Sequence, residues 1–286
     1  MKLSIIVPNY NSIIVDKTIK AIINQETKYW FEIIVVGVDD FGLINQNEKV
    51  VFINTITKCP PARARNIGAS VSSGDLLVFI DSDCIPPTFW INEIIKSFNE
   101  EEFLAVGGGV KFKDDNYWAL ADNISMFHSF MASNSRRKVN ELPTLNLAIK
   151  KDAFLGINGF DEKYLYPSGE DFDLTLRLSR QGKLLFNPNA WIFHFPPRSS
   201  FQDLIKHSYI QGKYSTKINR KGANILSIII FKPFFLLLFS PIFALLATLK
   251  IFLNKNLLKY IYVFPAIFLS KFVWCIGAVN SPWQKN

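Results

Sequence analysis

The sequence predicts an α/β protein, a mostly parallel sheet flanked by helices, followed by an apolar and basic helical region. Three observations predict it. Strand-like apolar runs alternate with helix-like stretches over the first two thirds of the chain. One run, Leu76–Ile80, is apolar throughout, as a strand covered on both faces requires, and it ends in Asp81-Ser82-Asp83. The charge is split: residues 1–197 carry 20 Lys/Arg and 23 Asp/Glu, whereas residues 198–286 carry 12 Lys/Arg and one acid, Asp203.

The elements follow in order. Ser4–Val7 reads as a strand stopped by Pro8, with Asn9–Ser12 as a loop and Asp16–Asn24 at helical spacing. Glu32–Val36 is a second buried strand, ending near Gly37-Val38-Asp39-Asp40, and Val50–Asn54 a third. Ala62–Ser70 reads as a helix and leads through Ser73-Gly74 into Leu76–Ile80. Phe89–Phe98 is an amphipathic helix, and Ala105–Gly109 leads into a strand at Val110–Phe112. Residues 132–143 are polar and turn-rich, the composition of a mobile loop. Leu145–Ile149 predicts a strand, Lys151–Leu155 a short helix, and Glu170–Gln181 a helix between two glycines. Leu184–Phe186 and Ala190–Phe193 predict two short strands around Asn187-Pro188. Ser200-Phe201-Gln202-Asp203 has the form of a capping box with Asp in place of Glu, opening a helix to about Tyr214.

Composition excludes some function classes. At 286 residues and 49% hydrophobic, the chain can bury a sizeable core but is not apolar enough for a polytopic membrane protein. Its net charge of +8 belongs to the most apolar part of the chain. Nucleic-acid binders instead show a basic, polar, aromatic-studded surface, so no nucleic-acid partner is expected. Cys59, Cys84 and Cys275 give neither a disulfide framework nor zinc spacing, which fits a reducing compartment. Lys2–Val7 is too short and abruptly ended for a signal peptide, so the N-terminal part is expected in the cytoplasm.

Asp81 and Asp83 carry the sharpest chemistry. In open α/β sheets ligands bind outside the carboxyl ends of the strands. Two carboxylates so close suit a hard divalent cation, Mn²⁺ or Mg²⁺, which in turn holds phosphate oxygens. The plain alternative is a pair of solvated turn residues.

Further segments decide between them. Ser4-Ile5-Ile6-Val7-Pro8-Asn9-Tyr10-Asn11, Ala64-Arg65-Asn66-Ile67-Gly68-Ala69, Asp81-Ser82-Asp83, Gly159-Phe160-Asp161-Glu162 and Gly169-Glu170-Asp171 occur in this order. Together they resemble family 2 glycosyltransferases, which have the GT-A fold, over roughly residues 3–215. The resemblance implies an inverting, metal-dependent transfer of a sugar from a nucleotide-sugar, UDP by family frequency, to an acceptor hydroxyl. It implies Pro8, Tyr10 and Asn11 bordering the nucleotide, and Asp39 accepting a hydrogen bond from its base, with Asp40 as a competitor because Gly37-Val38 intervene. Arg65 faces the nucleotide or its phosphates in this reading, with Arg63 as its rival. Asp81 serves ribose and metal, and Asp83 the metal. His194 is either a further metal ligand or a core histidine. Asp171 is the base, at a helix start where the macrodipole favours its ionised form. Glu170, Asn146, Asp161 and Glu162 line the donor-sugar or acceptor pocket. No Gln-x-x-Arg-Trp occurs, which in this family argues against processive synthesis. A nucleotidyltransferase is disfavoured because Pro8–Asn11 holds no glycine, and an inactive membrane scaffold because the acidic set is intact.

The tail completes the expectation. Ile225–Leu249 is strongly apolar, with 17 uncharged residues from Pro233 to Leu249. The run 260–283 carries Lys271 near its middle, and the link between the two holds Lys250, Lys255 and Lys259. A two-span hairpin puts those lysines outside, against the positive-inside tendency. Helices lying in the cytoplasmic leaflet, with lysines reaching phosphates, fit better. The expected domains are residues 1–215, catalytic, and 216–286, membrane-associating on the cytoplasmic face. The expected acceptor is a glycan or lipid-linked saccharide, with a polyprenyl phosphate as the alternative.

Overall fold

The computed structural model describes residues 1–113, 115–219 and 233–282. The chain divides into two compact units, Met1–Lys111 with Phe130–Phe195, and Phe112–Ser129 with Pro196–Asn286.

The first unit is α/β. In chain order it holds β1 (Leu3–Tyr10), α1 (Val15–Ile23), β2 (Phe31–Val38), β3 (Val50–Asn54), α2 (Pro61–Val71), β4 (Leu76–Ile80), β5 (Cys84–Ile85), α3 (Trp90–Glu100) and β6 (Phe103–Lys111). After α4 (Tyr117–Phe127), which belongs to the second unit, come β7 (Arg137–Val139), β8 (Asn146–Lys150), α5 (Lys151–Gly156), α6 (Glu170–Ser179) and β9 (Lys183–His194). The nine strands form one mixed sheet in the order β3-β2-β1-β4-β8-β6-β9-β5, with β7 on β9. The block β3-β2-β1-β4 is parallel, β8 runs antiparallel to β4 and β6, and β6 and β9 are parallel again. In the parallel block, the turns after β1, β2 and β4 therefore open at one edge of the sheet.

Hydrophobic pattern explains the layers. All five residues of β4 are buried, and α2 packs on β1 and β2 while α3 packs on β6 and β9. Phe79 of β4 meets Phe154 of α5 and Phe160, with ring centroids 5.6 and 5.3 Å away.

Several boundaries differ from the sequence reading. Pro8 does not stop β1, which runs on to Tyr10 paired with β2. The β1–β4 ladder ends at Ile6–Phe79, so beyond it the missing proline N–H deprives no strand on that side. β2 extends through Gly37 to Val38, which makes Asp39 the first residue after the strand. Gly37 has φ +144°, and a Cβ there would lie 1.7 Å from Asn9 O, so only glycine lets the strands stay paired. Residues 183–194 form one strand rather than two, accommodating Pro188 at a register shift against β6. The segment 132–143, expected as a mobile loop, contributes β7 to the sheet.

The second unit is helical. It contains α4, α7 (Phe201–Asn219), α8 (Pro233–Leu238), α9 (Ser240–Phe252), a 3₁₀ stretch Lys255–Val263 and α10 (Phe264–Val279). α10 packs against α4, α7, α8 and α9. The start of α7 is a true capping box: Ser200 N donates to Asp203 Oδ2 at 3.1 Å and Asp203 N donates to Ser200 Oγ at 3.2 Å. The boundary expected at 215 falls inside α7, because α7 packs on α10 as one body. Lys255–Val279 is long and apolar enough to cross a membrane, yet 44% of its apolar window is buried inside the structure. Lys271, expected to reach lipid phosphates, instead donates from Nζ to Ser125 O at 2.8 Å. Ile225–Lys232 and Trp283, parts of the two expected apolar runs, lie outside the described residues.

Candidate active site

The turn after β4 is held by hydroxyls. Ser12 Oγ and Thr18 Oγ1 both donate to Ser82 O at 3.0 Å, Cys84 N donates to Asp81 O at 3.1 Å, and Phe195 N donates to Asp83 O at 2.9 Å. These bonds fix the backbone between the two carboxylates. Sequence reasoning missed Ser12 and Thr18. The available signal was Thr18 itself, a hydroxyl on the buried face of α1 among Val15, Ile19 and Ile22.

Arg65 sits at the centre of the acidic cluster. Nη2 lies 2.8 Å from Asp81 Oδ1 and Nη1 3.0 Å from Glu170 Oε1, with the guanidinium 5.6 Å from the Phe160 ring centroid. The side chain is only 4% exposed. Both arms of the fork are engaged by carboxylates, which braces Asp81 against Glu170. Arg63 is exposed and lies 4.0 Å from Glu162, which separates it from this cluster.

Glu170 and Asp171 open α6, whose N-cap Gly169 has φ 89°, a conformation that favours glycine. Glu170 is buried, and among the described residues its Oε2 and Arg65 Nε have no hydrogen-bond partner. Burial raises the Glu170 carboxyl while Arg65 pulls it back. Asp171 is half-buried and accepts from Phe172 N at 2.9 Å. Burial, then the charge of Glu170, push its pKa up to about 7. Asp81 and Glu170 thus share one guanidinium, and the charge of Glu170 bears on the neighbouring Asp171.

Beside this cluster, Asp83 Oδ2 lies 3.6 Å from His194 Nε2. The pairing of β5 with β9 brings them together, with Cys84 opposite His194. Oxygen and imidazole donors at one point fit a divalent cation at Asp83 and His194, beside the Asp81 carboxylate that Arg65 holds.

At the same sheet edge, Asp39 Oδ2 accepts from Ile44 N at 2.8 Å, while its Oδ1 is buried with no hydrogen-bond partner among the described residues. Asp40, its competitor, is exposed and locked in a reciprocal pair with Asn11, at 2.7 and 2.8 Å. Tyr10 is 53% exposed and carries Lys58 Nζ 4.6 Å over its ring. Pro8 lies inside β1.

The remaining expected residues are placed less directly. Asn146 is buried, accepts from Trp90 Nε1 at 3.0 Å and donates to Gly109 O and Ala190 O. It is a brace between β8, β6 and β9 rather than a wall of a sugar pocket, because both ends of its amide are engaged inside the protein. Asp161 accepts from Lys163 N, and Glu162 from Asn66 Nδ2 at 3.0 Å. Asn66 also exchanges two bonds with the Phe160 backbone, and so positions the ring beneath Arg65.

Several known proteins are similar to the chain in sequence or in fold. The sequence model of glycosyl transferase family 2 matches residues 4–155. A glycosyltransferase named AglE from Haloferax volcanii is 30% identical over 150 residues, covering 52% of this chain and 48% of that protein. A glucosyl-dolichyl phosphate glucuronosyltransferase from the same organism is 25% identical over 202 residues, covering 63% and 61%. The chain thus aligns with about half to three fifths of the length of these two relatives. Among solved structures, a mannosyltransferase from Pyrobaculum calidifontis in complex with GDP-Man and Mn²⁺ superposes with a TM-score of 0.64 at 15% identity, over 99% of this chain and 88% of that one. Matched over more than half its length and carrying the GT-A architecture, the chain belongs to glycosyl transferase family 2.

Proposed function

We propose that the chain is an inverting glycosyltransferase that moves a sugar from a UDP-sugar to the hydroxyl of a lipid-linked saccharide, with Asp171 as the base. The observation that carries this reading is the half-buried Asp171, held near a pKa of 7 at a helix N-terminus beside the Asp81–Arg65–Glu170 chain. A base poised near the working pH is both ionised often enough and basic enough to take a proton.

The residues divide the work. Asp39 Oδ1, a buried acceptor without a partner among the described residues, suits an N–H of the nucleotide base. Asp81 and Asp83, with His194, would hold Mn²⁺ or Mg²⁺, which when bound neutralises charge on the departing diphosphate. Asp171 accepts the acceptor proton as the oxygen attacks the anomeric carbon opposite the diphosphate. The bond from that carbon to the diphosphate oxygen breaks, and its electron pair leaves with the nucleotide. One displacement with no enzyme nucleophile inverts the anomeric centre. Arg65 holds Asp81 and Glu170 in place.

The acceptor class rests on two supports. One related protein acts on a glucosyl-dolichyl phosphate. The helical unit also exposes Leu238, Ile242, Leu246 and Leu253 together with Lys250, Lys255 and Lys259, and carries no acid between Asp203 and the end of the sequence. Apolar side chains beside lysines suit the anionic cytoplasmic leaflet. Full-length protein that stays soluble at low salt without detergent, and fails to sediment with anionic vesicles, contradicts this membrane assignment.

The donor is tested by thermal denaturation of the full chain with a panel of nucleotide-sugars and Mn²⁺. The true donor stabilises the fold, by about 2.7 kcal/mol at 100 times its Kd. Stabilisation by GDP-sugars and not UDP-sugars overturns the nucleotide choice, and no stabilisation by any donor overturns the reading.

A further inference from the structure

Asp83 is flanked on both oxygens, and the mechanism uses only one of the neighbours. Oδ2 faces His194 Nε2 at 3.6 Å, while Oδ1 accepts from the Cys84 thiol at 3.7 Å. Cys84 is fully buried and His194 nearly so. Cys84 opens β5 and pairs directly with His194, the last residue of β9, so the ladder sets both side chains on one face. One ligand atom from each of Asp83, Cys84 and His194 lies within 4.8 Å of the others. Two paired strands and the pinned turn after β4 hold the three, so little rearrangement separates them from a common ligand.

We propose that Asp83, Cys84 and His194 form a mixed carboxylate, thiolate and imidazole site that takes a thiophilic divalent cation of the Zn²⁺ class, in competition with the hard ion at Asp83. The inference rests on the reading of Asp83 and His194 as cation ligands and adds the thiol as the residue that decides which cation stays. Mg²⁺ and Mn²⁺ favour oxygen donors and gain little from sulfur. Zn²⁺ takes sulfur, nitrogen and oxygen together, commonly as three protein ligands with one open position. Its binding releases the thiol proton to solvent. Zn²⁺ seated on Cys84 draws Asp83 away from the hard ion, so the consequence is inhibition by low Zn²⁺ that excess Mn²⁺ relieves.

The test uses the full chain with Co²⁺ and Zn²⁺ as probes, and Cys84→Ser as the variant, with Cys84→Ala as a second should the serine disturb the buried site. In the unsubstituted protein Co²⁺ gives a near-ultraviolet sulfur-to-cobalt charge-transfer band, which disappears in both variants. Zn²⁺, titrated against Co²⁺, binds the variants more weakly by at least the roughly 10–100-fold that losing even an outer-shell partner costs. Mn²⁺ binding in the presence of UDP, read from the paramagnetic resonance of the free ion, stays the same in the variants. An undiminished band, or equal Zn²⁺ affinity, in a folded Cys84 variant overturns the thiol's role. Mn²⁺ binding that survives Asp83→Asn overturns the underlying assignment of Asp83 instead.

Discussion

Each unit of this protein buries a cluster of charges, and the two clusters are built to opposite ends. In the helical unit, the buried Asp122 accepts from Arg198 Nε at 2.8 Å on one oxygen and meets His207 Nδ1 at 2.7 Å on the other. Gln211 Nε2 in turn lies 3.1 Å from His207 Nε2. One acid has two basic partners, and both its oxygens are engaged. In the α/β unit one guanidinium serves Asp81 and Glu170 with Asp171 next in sequence, and among the described residues Glu170 Oε2 has no hydrogen-bond partner. A balanced cluster is a clamp. A cluster with surplus carboxylate is held in a state that a cation, a proton or a substrate relieves.

The two aspartates that face these clusters respond to pH with opposite sign. Burial alone would raise the Asp122 carboxyl, but His207 and Arg198 hold it well below the usual range. Its stabilisation is present above the unfolded value and is lost as pH falls through the folded one. Asp171 is raised to about 7, so the folded state favours its protonated form. Its ionisation weakens the fold as pH climbs from about 4 toward 7.

The contrast can be broken at several points. Asp122→Ala leaves Arg198 and His207 without their buried partner and is expected to lower stability by about 3–5 kcal/mol, read by urea denaturation. A loss below about 1 kcal/mol removes the clamp reading, since that is the scale of exposed pairs. Arg65→Lys keeps the charge but cannot reach both carboxylates as a fork, and is expected to lose about 1.5–3 kcal/mol. Glu170→Gln takes away a negative neighbour of Asp171. The rate then still rises with pH as the base ionises, but its acid limb, expected near 7 in the unsubstituted protein, moves to lower pH. An unmoved limb separates Glu170 from the base. The smallest effect is expected at the α7 cap, where Ser200→Ala lowers stability by about 0.5–2 kcal/mol and leaves the acid limb in place.

Much of the α/β unit was legible because its signals are local. The apolar run Leu76–Ile80 and the Asp81-Ser82-Asp83 turn depend on neighbours in sequence, as does the capping box at Ser200 in the helical unit. What stayed hidden depends on partners far along the chain. The continuation of β1 past Pro8 follows from where the β4 ladder ends, and the place of Arg65 from Glu170, 105 residues away. Likewise, Lys271 read as a lipid-facing lysine until Ser125 supplied its acceptor. Cys84 showed no metal-ligand spacing in the sequence because its pairing with His194 runs across β5 and β9, 110 residues apart.

The most direct measurement is the release of nucleoside diphosphate from the stabilising nucleotide-sugar, with Mn²⁺ and a lipid-linked saccharide acceptor, by the unsubstituted protein and by Asp171→Asn. The predicted result is a rate about 10²–10⁴-fold lower in the variant, with the donor-induced thermal stabilisation retained and stability above pH 7 no lower. A variant that turns over at the full rate contradicts the account.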